Sequence, residues 1–319
     1  MHIVLETLGL SGIVPVVVIE DETLAVPLAE ALLAGGLHTM EITIRSAAAL
    51  NSIGRIAKGC PRMLTGAETV LTVDQVKAAI DVGARYIVSP GLNPKVVEYC
   101  LSAGVPVIPG VATPSEIEVA LGFGLEVVKF FPAEANGGID YLKAIAAPYK
   151  ALHFIPTGGI DETNLLRYLK FPSVHACGGS WMVKADLLTN KRFDEITKLT
   201  GQAVATMLGF QLHQAKFPVA DPKNIVRDAR DLAALLRWSV QETDTTIAVG
   251  RGIEFEKGTG LMQSGQFGIS THFIDRAIAY FASQGVAVRE ETRVQKNGKT
   301  VAISLDRTFG GIALRLQQA

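Results

Sequence analysis

The sequence predicts an α/β protein: a (β/α)8 TIM barrel followed by a small α+β domain of paired βαβββ modules. Between about residues 13 and 208, short runs rich in Val and Ile alternate with amphipathic helical patterns, and eight such units follow one another. Near-continuous apolar runs are typical of parallel strands that are buried on both faces. Eight units in about 200 residues fit a small barrel. The alternative is an open doubly wound sheet, but no Gly-x-Gly-x-x-Gly fingerprint follows the first strand.

Each predicted barrel strand is followed by a predicted helix. The strand at 13–19 is β-branched, and its helix at 23–34 ends before Gly35 and Gly36, where a C-terminal cap is expected. The other strand–helix pairs are 39–44 with 47–58, 63–66 with 73–82, 86–88 with 94–103, 106–108 with 114–122, 126–131 with 141–147, 153–156 with 163–169, and 174–176 with a helix from 184 onward. Residues 1–11 predict an extra N-terminal helix, and 193–208 a last one.

A change in composition after residue 208 predicts a domain boundary, with one domain at 1–208 and a second at 209–319. The second domain is richer in Gln, Thr and Arg. Its predicted elements repeat the order strand, helix and three strands, at 210–215, 228–238, 240–243, 246–249 and 253–256, then at 267–270, 273–285, 288–294, 300–305 and 312–316.

Composition also excludes several classes of protein. The net charge is -1 and no basic cluster stands out, which argues against a nucleic-acid partner. No apolar run approaches the roughly 18–20 residues of a membrane span, and no signal-peptide pattern opens the chain. Cys60, Cys100 and Cys177 are irregularly spaced, which favours neither a disulfide framework nor a metal site and fits a reducing, cytoplasmic setting.

Lys129 is the first candidate for chemistry, because it interrupts an apolar run at 127–131. The alternation of a strand places Val127, Lys129 and Phe131 on one face. Apolar surroundings disfavour a charged amine, and a neutral lysine attacks carbonyls to form Schiff bases. The alternative is a lysine on an edge strand whose amine reaches water.

Polar residues also end the second predicted strand. Alternation places Glu41, Thr43 and Arg45 on one face, with Arg45 nearest the mouth of the barrel. These side chains are poor core residues but suit a site at the carboxyl ends of barrel strands. The alternative is an ion pair between Glu41 and Arg45 that closes the bottom of the barrel.

Paired glycines follow the seventh and eighth predicted strands, in Thr157-Gly158-Gly159 and Gly178-Gly179-Ser180. Backbone N–H groups of glycines can approach an anion closely, and helix N-termini favour negative charge. The loops after these two strands are a frequent phosphate site in barrels. Together the two pairs predict an anion site.

These motifs resemble the 2-keto-3-deoxy-6-phosphogluconate (KDPG) aldolase family, which overlaps 4-hydroxy-2-oxoglutarate (KHG) aldolase. The resemblance covers about residues 10–208 and rests on Val14-Pro15-Val16, Met40-Glu41-Ile42-Thr43-Ile44-Arg45, Ser89-Pro90-Gly91, Ile108-Pro109-Gly110, Lys129-Phe130-Phe131-Pro132-Ala133-Glu134, Pro156-Thr157-Gly158-Gly159-Ile160 and Gly178-Gly179-Ser180-Trp181.

The resemblance implies a class I aldolase on a (β/α)8 barrel, usually a homotrimer, that needs no metal or other cofactor. It implies that Lys129 carries the Schiff base and that Glu41 is the general acid and base. The substrate would be a keto acid or sugar phosphate held by Arg45 and Thr69 near the pyruvate carboxylate, by Pro90 in the pocket wall, by Thr157 beside the reacting end, and by Gly158, Gly159, Gly179 and Ser180 at the phosphate.

One residue departs from the family pattern. The family usually has Gly-Ala-Gly-Thr at the end of the third strand, whereas this chain has Gly66-Ala67-Glu68-Thr69. Glu68 could shift Thr69 or repel an anionic substrate. It could equally point outward, between strand and helix, and pair with a neighbour there.

The second domain resembles the vicinal-oxygen-chelate (glyoxalase-like) superfamily in its element order. Metal-binding members use His, Gln or Glu on the first and last strands of each module. His213 and Glu254 or Glu256 lie near such positions, but Phe267 and Arg315 occupy the others. A small-molecule sensor or an oligomer-packing module is therefore favoured over a second, metal-dependent enzyme.

The sequence thus predicts a lyase that releases pyruvate with glyceraldehyde 3-phosphate or glyoxylate. Two alternatives stay open at this stage. One is a regulator that binds a sugar phosphate without catalysis, although phosphate binding needs neither Lys129 nor Glu41. The other is a decarboxylase of a β-keto acid such as oxaloacetate, which the same imine would permit.

Overall fold

Strands and helices alternate through the first two thirds of the chain in a computed structural model. The structure describes residues 1–217, 224–250, 252–257, 265–309 and 311–319. These divide into two compact units, Met1–Met207 and Leu208–Ala319. No helix in these ranges is both long enough and apolar enough to cross a bilayer.

The N-terminal unit has nine short parallel strands in a barrel-like arrangement. One sheet has the order β5-β4-β3-β2-β1-β9 and another β6-β7-β8. Only Pro109, which has no N–H to donate, separates β5 from β6, and a bridge between Thr157 and Gly178 joins the ends of β8 and β9. The strands are β1 (Ile13–Val17), β2 (Thr39–Thr43), β3 (Leu64–Glu68), β4 (Ile87–Val88), β5 (Val107–Ile108), β6 (Gly110–Val111), β7 (Val127–Phe130), β8 (His153–Pro156) and β9 (Cys177–Gly179).

Helices follow the strands, and several begin with side-chain caps. Thr72 and Thr113 each form a capping box with the Gln or Glu three residues later, which satisfies free N–H groups of the first turn. The helices are α1 (Ile3–Ser11), α2 (Ala25–Ala34), α3 (Ala49–Gly59), α4 (Val73–Asp81), α5 (Pro94–Ser102), α6 (Pro114–Gly122), α7 (Gly138–Ala146), α8 (Leu165–Leu169), α9 (Ala185–Thr189) and α10 (Phe193–Leu208).

The helix α1 closes one end of this unit. Its Val4, Leu5 and Leu8 pack in one buried cluster with residues from the amino ends of the strands, among them Val14 and Val127. The end at the carboxyl termini of the strands is left for polar residues. This is the end at which barrels place their sites.

The last strand differs from the prediction. The expected strand at 174–176 is wrong, because Val174 makes only an isolated bridge and β9 begins at Cys177. Ladder bonds to β1, with Ile13 opposite Cys177, outweigh the low strand propensity of glycine. Gly178 is required there, since a Cβ would lie 2.3 Å from Oγ1 of Thr157.

The residues described in the C-terminal unit form a mixed sheet of eight strands in the order β11-β12-β13-β10-β14-β17-β16-β15. The pairs β10–β13 and β14–β17 are parallel and the others antiparallel. The strands are β10 (Gln211–Phe217), β11 (Val240–Glu242), β12 (Thr246–Val249), β13 (Ile253–Glu256), β14 (Gln266–Thr271), β15 (Val288–Lys296), β16 (Lys299–Phe309) and β17 (Ile312–Gln318), and the helices are α11 (Ile225–Leu236) and α12 (Ile274–Ser283).

Candidate active site

The carboxyl ends of β2, β3 and β7 carry three buried ionisable side chains. Lys129, Glu41 and Glu68 are only 2%, 3% and 5% exposed. The parallel register pairs Glu41 with Gly66 and Thr43 with Glu68, which sets both carboxylates at neighbouring strand ends. Buried charges in proteins are normally paired, and Lys129 is paired here.

Lys129 donates from Nζ to Oε1 of Glu68 across 2.6 Å. Its strand, β7, lies between β6 and β8, so the alternative of a water-reaching lysine on an edge strand is wrong. The prediction of purely apolar surroundings is also wrong. The ring of Phe131 does lie 4.8 Å from Nζ, but the carboxylate of Glu68 is in direct contact.

Burial also changes the protonation of Glu41. Burial raises the pKa of its carboxyl to about 8; Lys129 opposes this rise and the negative charge of Glu68 adds to it. At neutral pH Glu41 therefore holds a proton while Glu68 is ion-paired. A buried carboxyl whose pKa is raised toward neutrality is typical of acid–base sites.

The alternative ion pair between Glu41 and Arg45 is not found among the described residues. Arg45 lies beyond the end of β2 and its side chain is exposed. Within the described ranges Glu41 and Arg45 form no ion pair, so a salt bridge between them does not close the barrel. Thr43, between them in sequence, donates its hydroxyl to the carbonyl of Val17 and ties β2 to β1.

Thr69 and Pro90 lie at the next strand ends. Thr69 follows Glu68 directly and has a φ of 64°, an uncommon backbone conformation for a β-branched residue. Its hydroxyl donates a short hydrogen bond to Oε2 of Glu68. Pro90 is half-buried beyond the end of β4, and its carbonyl approaches Gly110 so closely that a Cβ there would lie 2.0 Å away.

The two glycine pairs also meet at this end of the unit. Thr157 is buried and bridges to Gly178, while Gly158 and Gly159 have φ values of 100° and 81°. Gly179 is buried at the end of β9, and Ser180, which follows it, is exposed. A short segment separates each pair from the helix that follows it, since α8 begins at Leu165 and α9 at Ala185.

The approach of another segment explains why residue 159 is glycine. A Cβ on Gly159 would lie 2.7 Å from the side chain of Glu134, whose backbone N–H donates to the carbonyl of Gly158. Glu134 in turn accepts a short hydrogen bond from the Tyr168 hydroxyl.

Sequence reasoning missed the contact between Glu68 and Lys129. The two residues are 61 positions apart, and no local pattern brings them together. The signal that was available is an acidic residue at the end of an apolar strand. The alternative in which Glu68 points outward, between strand and helix, is wrong because its carboxylate is buried against Lys129.

Two candidate metal ligands of the C-terminal unit are either exposed or held in an ion pair. His213 is exposed on β10, and Glu254 forms an ion pair with Lys216 at 2.8 Å. In the part of the chain that the structure describes, no group of three or more His, Cys, Asp or Glu side chains could hold a metal ion.

Comparison with known proteins places the N-terminal unit in one family. Residues 4–199 match the family model described as "Aldolase: KDPG and KHG aldolase". The 2-dehydro-3-deoxy-phosphogluconate aldolase of Treponema pallidum (strain Nichols) is 48% identical over 204 residues, which is 64% of this chain and 97% of that protein. The KHG/KDPG aldolase of Escherichia coli (strain K12) is 44% identical over 192 residues, 60% of this chain and 90% of that protein.

Solved structures give the same result. A KDPG aldolase from Legionella pneumophila, with pyruvate captured at low pH as a covalent carbinolamine intermediate, has a TM-score of 0.61 and 39% identity, covering 63% of this chain and 97% of its own. The 2-keto-3-deoxy-6-phosphogluconate aldolase of Zymomonas mobilis ZM4 with 3-phosphoglycerate has a TM-score of 0.60 and 37% identity, covering 64% and 95%.

Proposed function

The chain belongs to the KDPG and KHG aldolase family, and we propose that it is a class I aldolase acting through a Schiff base on Lys129. The substrates are 2-keto-3-deoxy-6-phosphogluconate, 4-hydroxy-2-oxoglutarate or both. The observation that carries the proposal is a lysine only 2% exposed, ion-paired with the buried Glu68 and close to the buried Glu41, whose pKa is raised to about 8. Pyruvate captured covalently in the Legionella pneumophila relative supports the same chemistry.

The first step is attack of the Lys129 amine on the C2 ketone. The ammonium must lose a proton to solvent before it attacks, and its ion pair with the Glu68 carboxylate at 2.6 Å must open. Glu41 starts protonated, which suits it to give its proton to the carbinolamine hydroxyl. Water then leaves, and a protonated imine forms on Lys129.

Glu41 is left as a carboxylate and acts next as a base. Directly or through a water, it takes the proton of the C4 hydroxyl as the C3–C4 bond breaks into an enamine and an aldehyde. The proton then moves from Glu41 to C3, and water attacks the resulting imine to release pyruvate and the Lys129 amine. The aldehyde is glyceraldehyde 3-phosphate from the phosphorylated substrate and glyoxylate from 4-hydroxy-2-oxoglutarate.

The remaining residues bind substrate in this proposal. Thr69, beside Glu68 and Lys129, and the exposed Arg45 contact the keto-acid end, Pro90 shapes the pocket wall, and Thr157 lies beside the reacting carbons. The phosphate is held by the turns that bring together Gly158, Gly159, Gly179 and Ser180. The 3-phosphoglycerate in the Zymomonas mobilis relative supports a phosphate site of this kind.

The proposal also includes the complete fold of each unit, the oligomeric state and the location of the protein. The two parallel sheets, connected through Pro109 on one side and by the Thr157–Gly178 bridge on the other, support a full (β/α)8 barrel over 1–208. The order of elements in the C-terminal unit supports two βαβββ modules over 209–319, a glyoxalase-like domain without catalysis. A homotrimer follows from the family resemblance, and the small number and irregular spacing of the cysteines, Cys60, Cys100 and Cys177, support a cytoplasmic location.

The test is reduction with borohydride in the presence of pyruvate, followed by peptide mass spectrometry. We expect one pyruvate-derived adduct, on Lys129. Lys143, exposed on α7, is the internal control and should remain unmodified. A folded protein that gives no adduct on Lys129 would rule out the Schiff base.

Ser180→Ala is expected to separate the two substrates. A hydrogen bond to a charged group contributes about 1.5–3 kcal/mol, so kcat/KM for the phosphorylated substrate should fall roughly 10- to 100-fold. Turnover of 4-hydroxy-2-oxoglutarate, which has no phosphate, should change little. Steady-state kinetics on both substrates makes the comparison, and an equal loss on both would remove Ser180 from the phosphate site.

A further inference from the structure

The carboxylate of Glu68 is held by two donors of the proposed site. Its Oε1 accepts from Nζ of Lys129 at 2.6 Å, and its Oε2 accepts from the hydroxyl of Thr69. Glu68 is 5% exposed, so water screens its negative charge very little. A charged carboxylate thus lies against the nucleophile before any substrate arrives.

A keto acid needs the same two donors. Its carboxylate is bonded to C2, the carbon that becomes attached to Nζ of Lys129. In the adduct, the carboxylate oxygens therefore lie close to Nζ, which Oε1 of Glu68 already contacts at 2.6 Å. Two carboxylates in one buried site repel each other, and both cannot accept from Thr69 and Lys129 in the present geometry.

We propose that Glu68 is a specificity-determining residue, which weakens the reaction of keto acids with Lys129 relative to that of uncharged ketones and aldehydes of similar size. The proposal rests on the Schiff base at Lys129 proposed above. Keto acids react only after Glu68 leaves Thr69 and Lys129, and this displacement raises the concentration at which they saturate the site. An uncharged carbonyl compound meets no such repulsion.

A purely structural ion pair would behave differently. Loss of a structural Glu68 would alter the protonation or position of Lys129, and this would change reactivity toward every carbonyl compound alike. The ratio of Lys129 labelling by an anionic carbonyl compound to labelling by an uncharged one cancels that common effect. The ratio therefore reports the repulsion alone.

The experiment compares pyruvate with hydroxyacetone, in which a CH2OH group replaces the carboxylate. Labelling of Lys129 by each compound under cyanoborohydride is followed by intact-protein mass spectrometry over a range of concentrations. The proteins are the full-length wild type, Glu68→Gln, Glu68→Gly and Glu68→Asp. Glu118→Gln removes a negative charge from an exposed position on α6 and is the matched control.

We expect the ratio of pyruvate to hydroxyacetone labelling to rise at least about tenfold in Glu68→Gln and Glu68→Gly. Glu118→Gln should keep the wild-type ratio, and Glu68→Asp, which retains the charge, should stay close to it. Glu68→Gln has the shape of the natural residue and gives a result even if the glycine variant does not fold.

Two outcomes would contradict these proposals, and the labelling data distinguish them. Adducts on Lys129 with an unchanged ratio in the Gln and Gly variants would overturn the role of Glu68 and leave the aldolase proposal standing. The absence of any adduct, with either compound and in every variant, would overturn both proposals together.

Discussion

Lys129→Met is expected to abolish aldol cleavage, with kcat reduced by at least about 10⁴-fold. Methionine fills a similar volume but has no amine to bond with C2. Coupled detection of pyruvate measures the loss, and borohydride trapping on the same variant should give no adduct. Lys143→Met, an exposed position on α7, is the matched control and should retain full activity. Residual cleavage within tenfold of wild type would exclude Lys129 as the nucleophile.

The same variant should also unfold more easily. It leaves the buried Glu68 carboxylate without its partner, and removal of one member of a buried ion pair costs about 3–5 kcal/mol. The double variant Lys129→Met/Glu68→Gln removes both charges and should regain much of that loss. A double-mutant cycle then gives the coupling free energy between the two side chains.

A single fluorescent reporter makes this measurement specific to the N-terminal unit. The chain has two tryptophans, Trp181 in this unit and Trp238 in the other. A Trp238→Phe background leaves Trp181 to follow urea unfolding, so that a separate transition of the C-terminal unit does not enter. A coupling near zero would show that Glu68 and Lys129 do not form a strong pair in solution.

Strand periodicity accounts for most of what could be predicted from the sequence. Alternation within a strand placed Lys129 and Phe131 on one face, and in the structure the amine lies 4.8 Å from that ring. Alternating apolar runs and helices predicted the parallel α/β barrel-like N-terminal unit, which the family comparison confirms. Both inferences need only neighbours in sequence, which is why they succeed.

Two of the failures involve partners that are distant in sequence. The residues Cys177–Gly179 form a strand because β1 supplies their hydrogen bonds, although glycine disfavours strands. Lys129 is paired because the register of β2 with β3 sets Glu68 at the same end of the unit. No local propensity encodes either contact, so only the folded arrangement shows them.

Glu41→Gln should change both catalysis and the pH dependence of stability. Catalysis should fall about 10²- to 10⁴-fold, because Gln can neither give nor accept the proton. Burial raises the pKa of Glu41 from its ordinary 4.5 to about 8. A raised carboxyl pKa means that the folded state holds the proton more tightly than the unfolded state. Its stabilising effect is therefore complete below about pH 4.5 and is lost as the pH rises toward 8.

Gln cannot ionise, so this loss should be absent from the variant. The free energy of unfolding of Glu41→Gln, relative to wild type, should increase with pH by on the order of 5 kcal/mol between pH 4.5 and 8, at about 1.36 kcal/mol per unit of pKa shift. Urea unfolding in the Trp238→Phe background, repeated across this range, measures the difference, with Glu118→Gln on exposed α6 as the control. A difference that does not vary with pH would show that Glu41 is ionised in the resting protein. The carbinolamine hydroxyl would then need another proton donor, and Glu41 could act only as the base that takes the C4 hydroxyl proton.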